Sequence, residues 1–116
     1  MNGYEICKAA HLRLGTDNPA EITLHNNTSK RDLEFINQIA EDLNLKPIAE
    51  LSTKPDWDNK QIGAVISGVT MLMSFIDGET EKNRVFTAIY NAKRAALLGG
   101  IEKIKDTLPV SESGDI

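Results

Sequence analysis

The side chains in this sequence that can do chemistry near neutral pH are few and scattered. His11 and His25 are the two histidines and Cys7 is the single cysteine. Nucleophilic or acid–base catalysis needs a nucleophile, a base and an orienting group to converge. Neither histidine has an acid at a spacing that would pair along a helix or turn, so both read as exposed or singly hydrogen-bonded. Cys7, between Ile6 and the small residues Ala9 and Ala10, reads as a small buried hydrophobe, and a lone cysteine excludes an internal disulfide. Asp77, Glu79 and Glu81 cluster around Gly78, but a calcium loop needs a longer ligand series closed by a bidentate glutamate. These acids read as a solvated turn and the favourable start of a helix. Gly99-Gly100 is followed by Ile101-Glu102, without the lysine–serine pair or preceding strand of a phosphate-cradling loop. No catalytic residue, no metal ligand set and no cofactor is expected.

The elements that would hold these residues are helical. A chain of 116 residues makes one domain with a modest core. Its 5% aromatic content favours an aliphatic helix-on-helix core over a β-sandwich. A formal net charge of −4 argues against nucleic-acid binding as the main task, which shows as a basic domain. The first fifteen residues lack the apolar run of a secretory signal. The most apolar stretch, Ile62 to Ile76, is too short and too interrupted to span a bilayer. A protein without a membrane segment, made in the cytoplasm, is expected.

Four helices are predicted. The first covers about Tyr4 to Leu14, with Asn2 as N-cap and Gly15 as stop. Residues 16–28 read as a loop. The second opens on Ser29 and Asp32 as a capping box, runs through Leu33, Ile36, Ile39, Ala40 and Leu43, and stops at Asn44. Residues 46–57 read as a linker with an extended piece near Ile48 to Leu51. The third helix, about Asn59 to Ile76, takes Trp57 as a hydrophobic staple, Asp58 as N-cap and Gln61 as its reciprocal partner. Its small residues Gly63, Ala64, Ser67 and Gly68 predict close helix–helix approach, since each interior glycine costs about 1 kcal/mol relative to alanine. After the Asp77-Gly78 turn, the fourth helix runs from about Glu79 to Leu98, with Val85, Phe86, Ile89, Ala92 or Lys93, Ala96 and Leu97 as its buried stripe and Gly99-Gly100 as its end. A weak turn, Ile101 to Leu108, follows. The expectation is an all-α small bundle of about four helices, with an antiparallel hairpin over 59–98, a helical domain over 1–104 and an extended tail over 105–116.

Two stretches carry a resemblance. INQIAEDL (Ile36 to Leu43) is one. The other runs from Asn59 through GVTMLMSFIDGETEKNRVFTAIYNAKRAAL to the IEKIKDTLP segment ending at Pro109. An amphipathic helix, a small-residue-rich helix, a DG turn, a helix bearing YNAKRA and a short DTLP piece together resemble the head–tail connector (adaptor, or head-completion) proteins of tailed bacteriophages. The resemblance implies a non-enzymatic virion subunit that forms a ring with copies of itself beneath the portal protein, above tail or stopper proteins, around a channel that DNA passes without sequence-specific contact. It implies that Arg84, Lys93 or Arg94 approaches the DNA phosphates. It also implies that the tail, through Lys105, Asp106, Leu108, Pro109 and Val110, binds the portal and orders on binding. The residues alone leave a second reading open, a small helical protein-binding or regulatory module in the cytoplasm.

Overall fold

The computed structural model describes residues 1–15, 27–78 and 80–105. Its elements in chain order are α1 (Gly3–Leu14), α2 (Asn27–Asp42), α3 (Asn59–Asp77) and α4 (Thr80–Lys105). The described residues contain no strand. The protein is an all-α bundle, as the periodicity predicts.

Local chemistry sets most helix ends. Asn2 caps α1: its Oδ1 accepts from the Glu5 N–H at 3.0 Å while its own N–H donates to Glu5 Oε1 at 2.8 Å. Gly15 closes α1 in the left-handed region, φ 84°, where a side chain would be strained. Asp58 and Gln61 form the same reciprocal box at the start of α3, at 2.8 and 2.9 Å, as predicted. Asn44 ends α2 with φ 61°. Its N–H donates to the Glu41 carbonyl and the Leu45 N–H to the Ala40 carbonyl, the paired bonds of a Schellman stop.

α3 is the central helix, packed against α1, α2 and α4. Val65, Val69 and Met73 are buried along it with Ile6, Cys7, Ala10 and Leu14 of α1, Ile36 and Ile39 of α2, and Leu43 just past the end of α2. Ile76, expected on the apolar surface of α3, stands exposed. The close approach predicted from the small residues occurs at Gly68, where a Cβ would lie 2.7 Å from Ile39 Cγ2. Ala64 and Ser67 are buried beside it. Gly63 departs from the expectation, because a Cβ there would meet nothing within 4 Å.

Three further expectations are corrected. α2 starts at Asn27, so Ser29 and Asp32 lie inside it and are buried. A three-residue spacing suits a cap and equally places two residues on one inner face, and here it does the latter. The 46–57 linker holds no extended strand. Asn37 grips Ile48 instead, its side-chain amide donating to the Ile48 carbonyl and accepting from the Ile48 N–H, both at 2.9 Å. The Leu51 carbonyl accepts from the Tyr4 N–H at 3.1 Å, tying the linker to α1. Lastly, α4 passes through Gly99 and Gly100 to Lys105. Glycine lowers helix propensity but stops a helix only where the chain turns left-handed, and no positive φ occurs there. Lys105, assigned to the tail, is therefore the last residue of α4. Of the loop expected over 16–28, residues 27 and 28 belong to α2; residues 16–26 and the tail positions Asp106, Leu108, Pro109 and Val110 lie outside the described residues.

Candidate functional site

α4 decides what this bundle presents to its surroundings. Asn83, Phe86, Thr87, Tyr90, Arg94 and Leu97 form its inner side, half-buried or buried. Asn83 Nδ2 donates to Ser74 Oγ of α3 at 2.9 Å. Tyr90 Oη donates to Asp42 Oδ2 of α2 at 2.5 Å, and Arg94 Nε donates to the same oxygen at 2.8 Å. These polar anchors fix the rotation of the helix. In consequence the stripe expected to be buried is split: Phe86 and Leu97 face inward, while Val85, Ile89, Ala92 and Ala96 are exposed. Val85 is 54% and Ile89 39% exposed. Their spacing of four, three and four residues is that of one helix face, so an apolar stripe runs along the outside of the longest helix. Phe75 and Ile76, 58% and 54% exposed at the end of α3, add large apolar side chains near the hairpin turn.

The three cations expected to approach DNA occupy different places. Arg94 is held by Asp42. Arg84 pairs with Glu81 at 3.4 Å across one exposed turn. Lys93 stands nine residues from Arg84, about two and a half turns, and therefore on the opposite side of α4. They do not form one basic face. Lys93 instead meets Lys60 across a surface groove of about 370 Å³ floored by Gly63, Ala96 and Leu97. The open space at Gly63 is this groove.

Of the reactive groups, Cys7 is fully buried. Burial, and then the Asp32 charge, raise its thiol far above the ordinary 9.0, with Arg31 opposing, so it stays protonated. His11 is buried too, and it has the acid that the sequence did not disclose: Nε2 lies 3.0 Å from Asp32 Oδ2. Asp32 Oδ1 accepts from Arg31 Nη2 at 3.2 Å, and the Arg31 guanidinium lies over the Phe35 ring at 5.6 Å. The available signal was an acid at an apolar-face position of α2, four residues before Ile36. Arg13 Nη1 donates to Ser67 Oγ at 3.1 Å, so polar links fasten α1 to both α2 and α3. His25 and the side chains of Asp77 and Glu79 lie outside the described residues. Among the described residues, no group of three metal-ligating side chains comes together and no helix is long and apolar enough to cross a membrane.

Compared with protein-family profiles, with characterised proteins and with solved structures, the chain finds no match.

Proposed function

We propose that this protein is a non-enzymatic structural subunit of a tailed-phage head–tail connector, assembling with copies of itself into a ring between portal and tail proteins around the DNA channel of the virion. The observation that supports assembly most directly is the apolar stripe Val85–Ile89–Ala92–Ala96 on the outer side of α4. A small domain that exposes aligned apolar side chains along its longest helix gains by covering them, and a ring covers them by setting one face of each subunit on a different face of the next. The likeness of the INQIAEDL segment and of the α3–α4 hairpin to connector subunits supplies the particular assembly. A structural role also suits a chain whose only thiol and described histidine are buried in helix packing. For DNA passing the ring, the groove between Lys60 and Lys93 offers two neighbouring cations for weak phosphate contact; Arg84 and Arg94 are already engaged.

The test is assembly on a portal. Mixed with the portal of its own phage or prophage, the protein should appear by electron microscopy as a cyclic ring beneath it, and it should be present in purified virions. V85D/I89D should keep the helical circular dichroism of the parent and fail to join the ring. A protein absent from virions and monomeric with portal and tail components would refute the reading. Stable one-to-one capture by a single cytoplasmic partner would favour the binding-module alternative.

A further inference from the structure

The junction of α2, α3 and α4 holds a second apolar surface. An open groove of about 440 Å³ lies there between Ile39, Met71, Leu72 and Tyr90, with Glu41 and Asp42 among its lining. Met71 and Leu72 are only half-buried. Phe75 stands one turn beyond Met71 on the same side of α3, and its exposed ring carries the apolar surface out of the groove. Of the two acids, Asp42 is taken up by Tyr90 and Arg94. Glu41 is exposed and pairs with no cation among the described residues.

The outer side of α4 has the complementary character. Val85 and Ile89 are its large apolar side chains, and Ala88, Ala92, Ala95 and Ala96 around them are exposed too. Small side chains let another surface come close to the helix axis. Among the charged residues that flank this side, Glu81 and Arg84 pair with each other, and Lys82 donates to the Leu14 carbonyl at 3.2 Å. Lys93, one turn beyond Ile89, pairs with no acid among the described residues. Tyr90 lines the groove from the inner side of α4, so the outer side cannot reach the groove of its own copy.

We propose that the outer side of α4 of one copy docks in the α2–α3–α4 groove of a second copy, with Ile89 against Met71, Leu72 and Phe75, and Lys93 beside Glu41. A helix laid in an apolar groove by a few anchors is a common recognition mode, and here the one unpaired charge on each surface has the opposite sign. The two surfaces differ, so the contact is head-to-tail and passes from copy to copy. It rests on the self-association in the connector reading and names the face that covers the stripe, but it needs no virion. Of the two cations beside Gly63, it engages Lys93 and leaves Lys60 for phosphate.

Sedimentation of the concentrated full chain tests the contact. The parent should form oligomers larger than a dimer that dissociate on dilution. F75S and V85D/I89D, all at exposed positions, should keep the parental helical circular dichroism and each stay monomeric. Mixed together they should give a one-to-one dimer and nothing larger, because one intact groove then meets one intact stripe. E41K and K93E should each lose the larger oligomers, and mixing those two should recover them. A parent that is monomeric at every concentration would overturn the proposal. So would a dimer that stops at two and survives F75S, which would set stripe on stripe, or a mixture of F75S with V85D/I89D that stays monomeric. Virions that lack the protein while this pattern holds would count against the connector reading alone.

Discussion

His11 Nε2 lies 3.0 Å from Asp32 Oδ2, a buried contact between side chains 21 positions apart that joins α1 to α2. Asp32 is wholly buried, so removing its imidazole partner leaves a desolvated carboxylate with Arg31 alone. H11A and D32A should each lower stability by about 2 kcal/mol, the range for a buried hydrogen bond to a charged group. The double variant should lose clearly less than the sum, because the second change removes a group already orphaned. Urea unfolding of the four proteins gives the cycle. Strict additivity would mean that the two side chains act independently.

Gly68 and Gly63 sit five residues apart on α3 and should respond oppositely to alanine. At Gly68 the new Cβ would fall 2.7 Å from Ile39 Cγ2 and 2.8 Å from its Cδ1. Ile39 is 3% exposed and cannot swing into solvent, so G68A should cost about 1–3 kcal/mol by overpacking. At Gly63 nothing lies within 4 Å, and G63A should stabilise by about 0.5–1 kcal/mol through helix propensity. Thermal unfolding should move the two midpoints in opposite directions. A stabilised G68A would mean that α2 and α3 are not locked at this crossing.

Those two glycines mark the boundary of what was legible in the sequence. Ends governed by neighbouring residues were readable: the Asn2 cap, the Asp58–Gln61 box, and the stops at Gly15, Asn44 and Gly78. Each depends on one or two local hydrogen bonds or on a left-handed φ. The close crossing at Gly68 was readable as well, from the small residues that recur along α3. The rotation of α4 was not. Val85, Ile89, Ala92 and Ala96 satisfy helical spacing as well as Phe86, Tyr90 and Leu97 do. The choice rests on where Asn83, Tyr90 and Arg94 find Ser74 and Asp42, contacts made across the bundle. The same holds for His11 and Asp32, whose pairing follows only once α1 and α2 are docked. For α4, the tempting Gly99-Gly100 stop lacked the left-handed residue that ends a helix.

Asp42 holds two donors whose losses should differ. Y90F deletes a hydrogen bond from a side chain 3% exposed and should cost about 1 kcal/mol. R94A breaks a pair whose side chains are 42% and 44% exposed, worth no more than about 0.5 kcal/mol at that exposure. Added salt should shrink the R94A effect and leave that of Y90F nearly intact. Chemical unfolding at low and high ionic strength separates the two. A larger loss in R94A than in Y90F would show that the charge, and not the buried phenol, orients α4.

Alkaline pH should weaken this bundle through two buried protons. Burial raises the Tyr90 phenol well above its ordinary 10.0, helped by its hydrogen bond to Asp42. Burial likewise raises the Cys7 thiol above 9.0, helped by the Asp32 charge. In each case the folded state holds its proton more tightly than the unfolded chain does. The stability they contribute is therefore complete below the ordinary values of 9.0 and 10.0. It is lost progressively as pH rises past them, because the unfolded chain ionises first. Urea unfolding across this range should show a level plateau below pH 9.0 and a decline above it. C7A should lose the earlier part of the decline and Y90F the later part. In the native protein at pH 9.0, Cys7 should resist a thiol reagent that modifies it rapidly in urea. A thiol that reacts equally fast in both states, or a stability that climbs through this range, would show that neither proton is held by the fold.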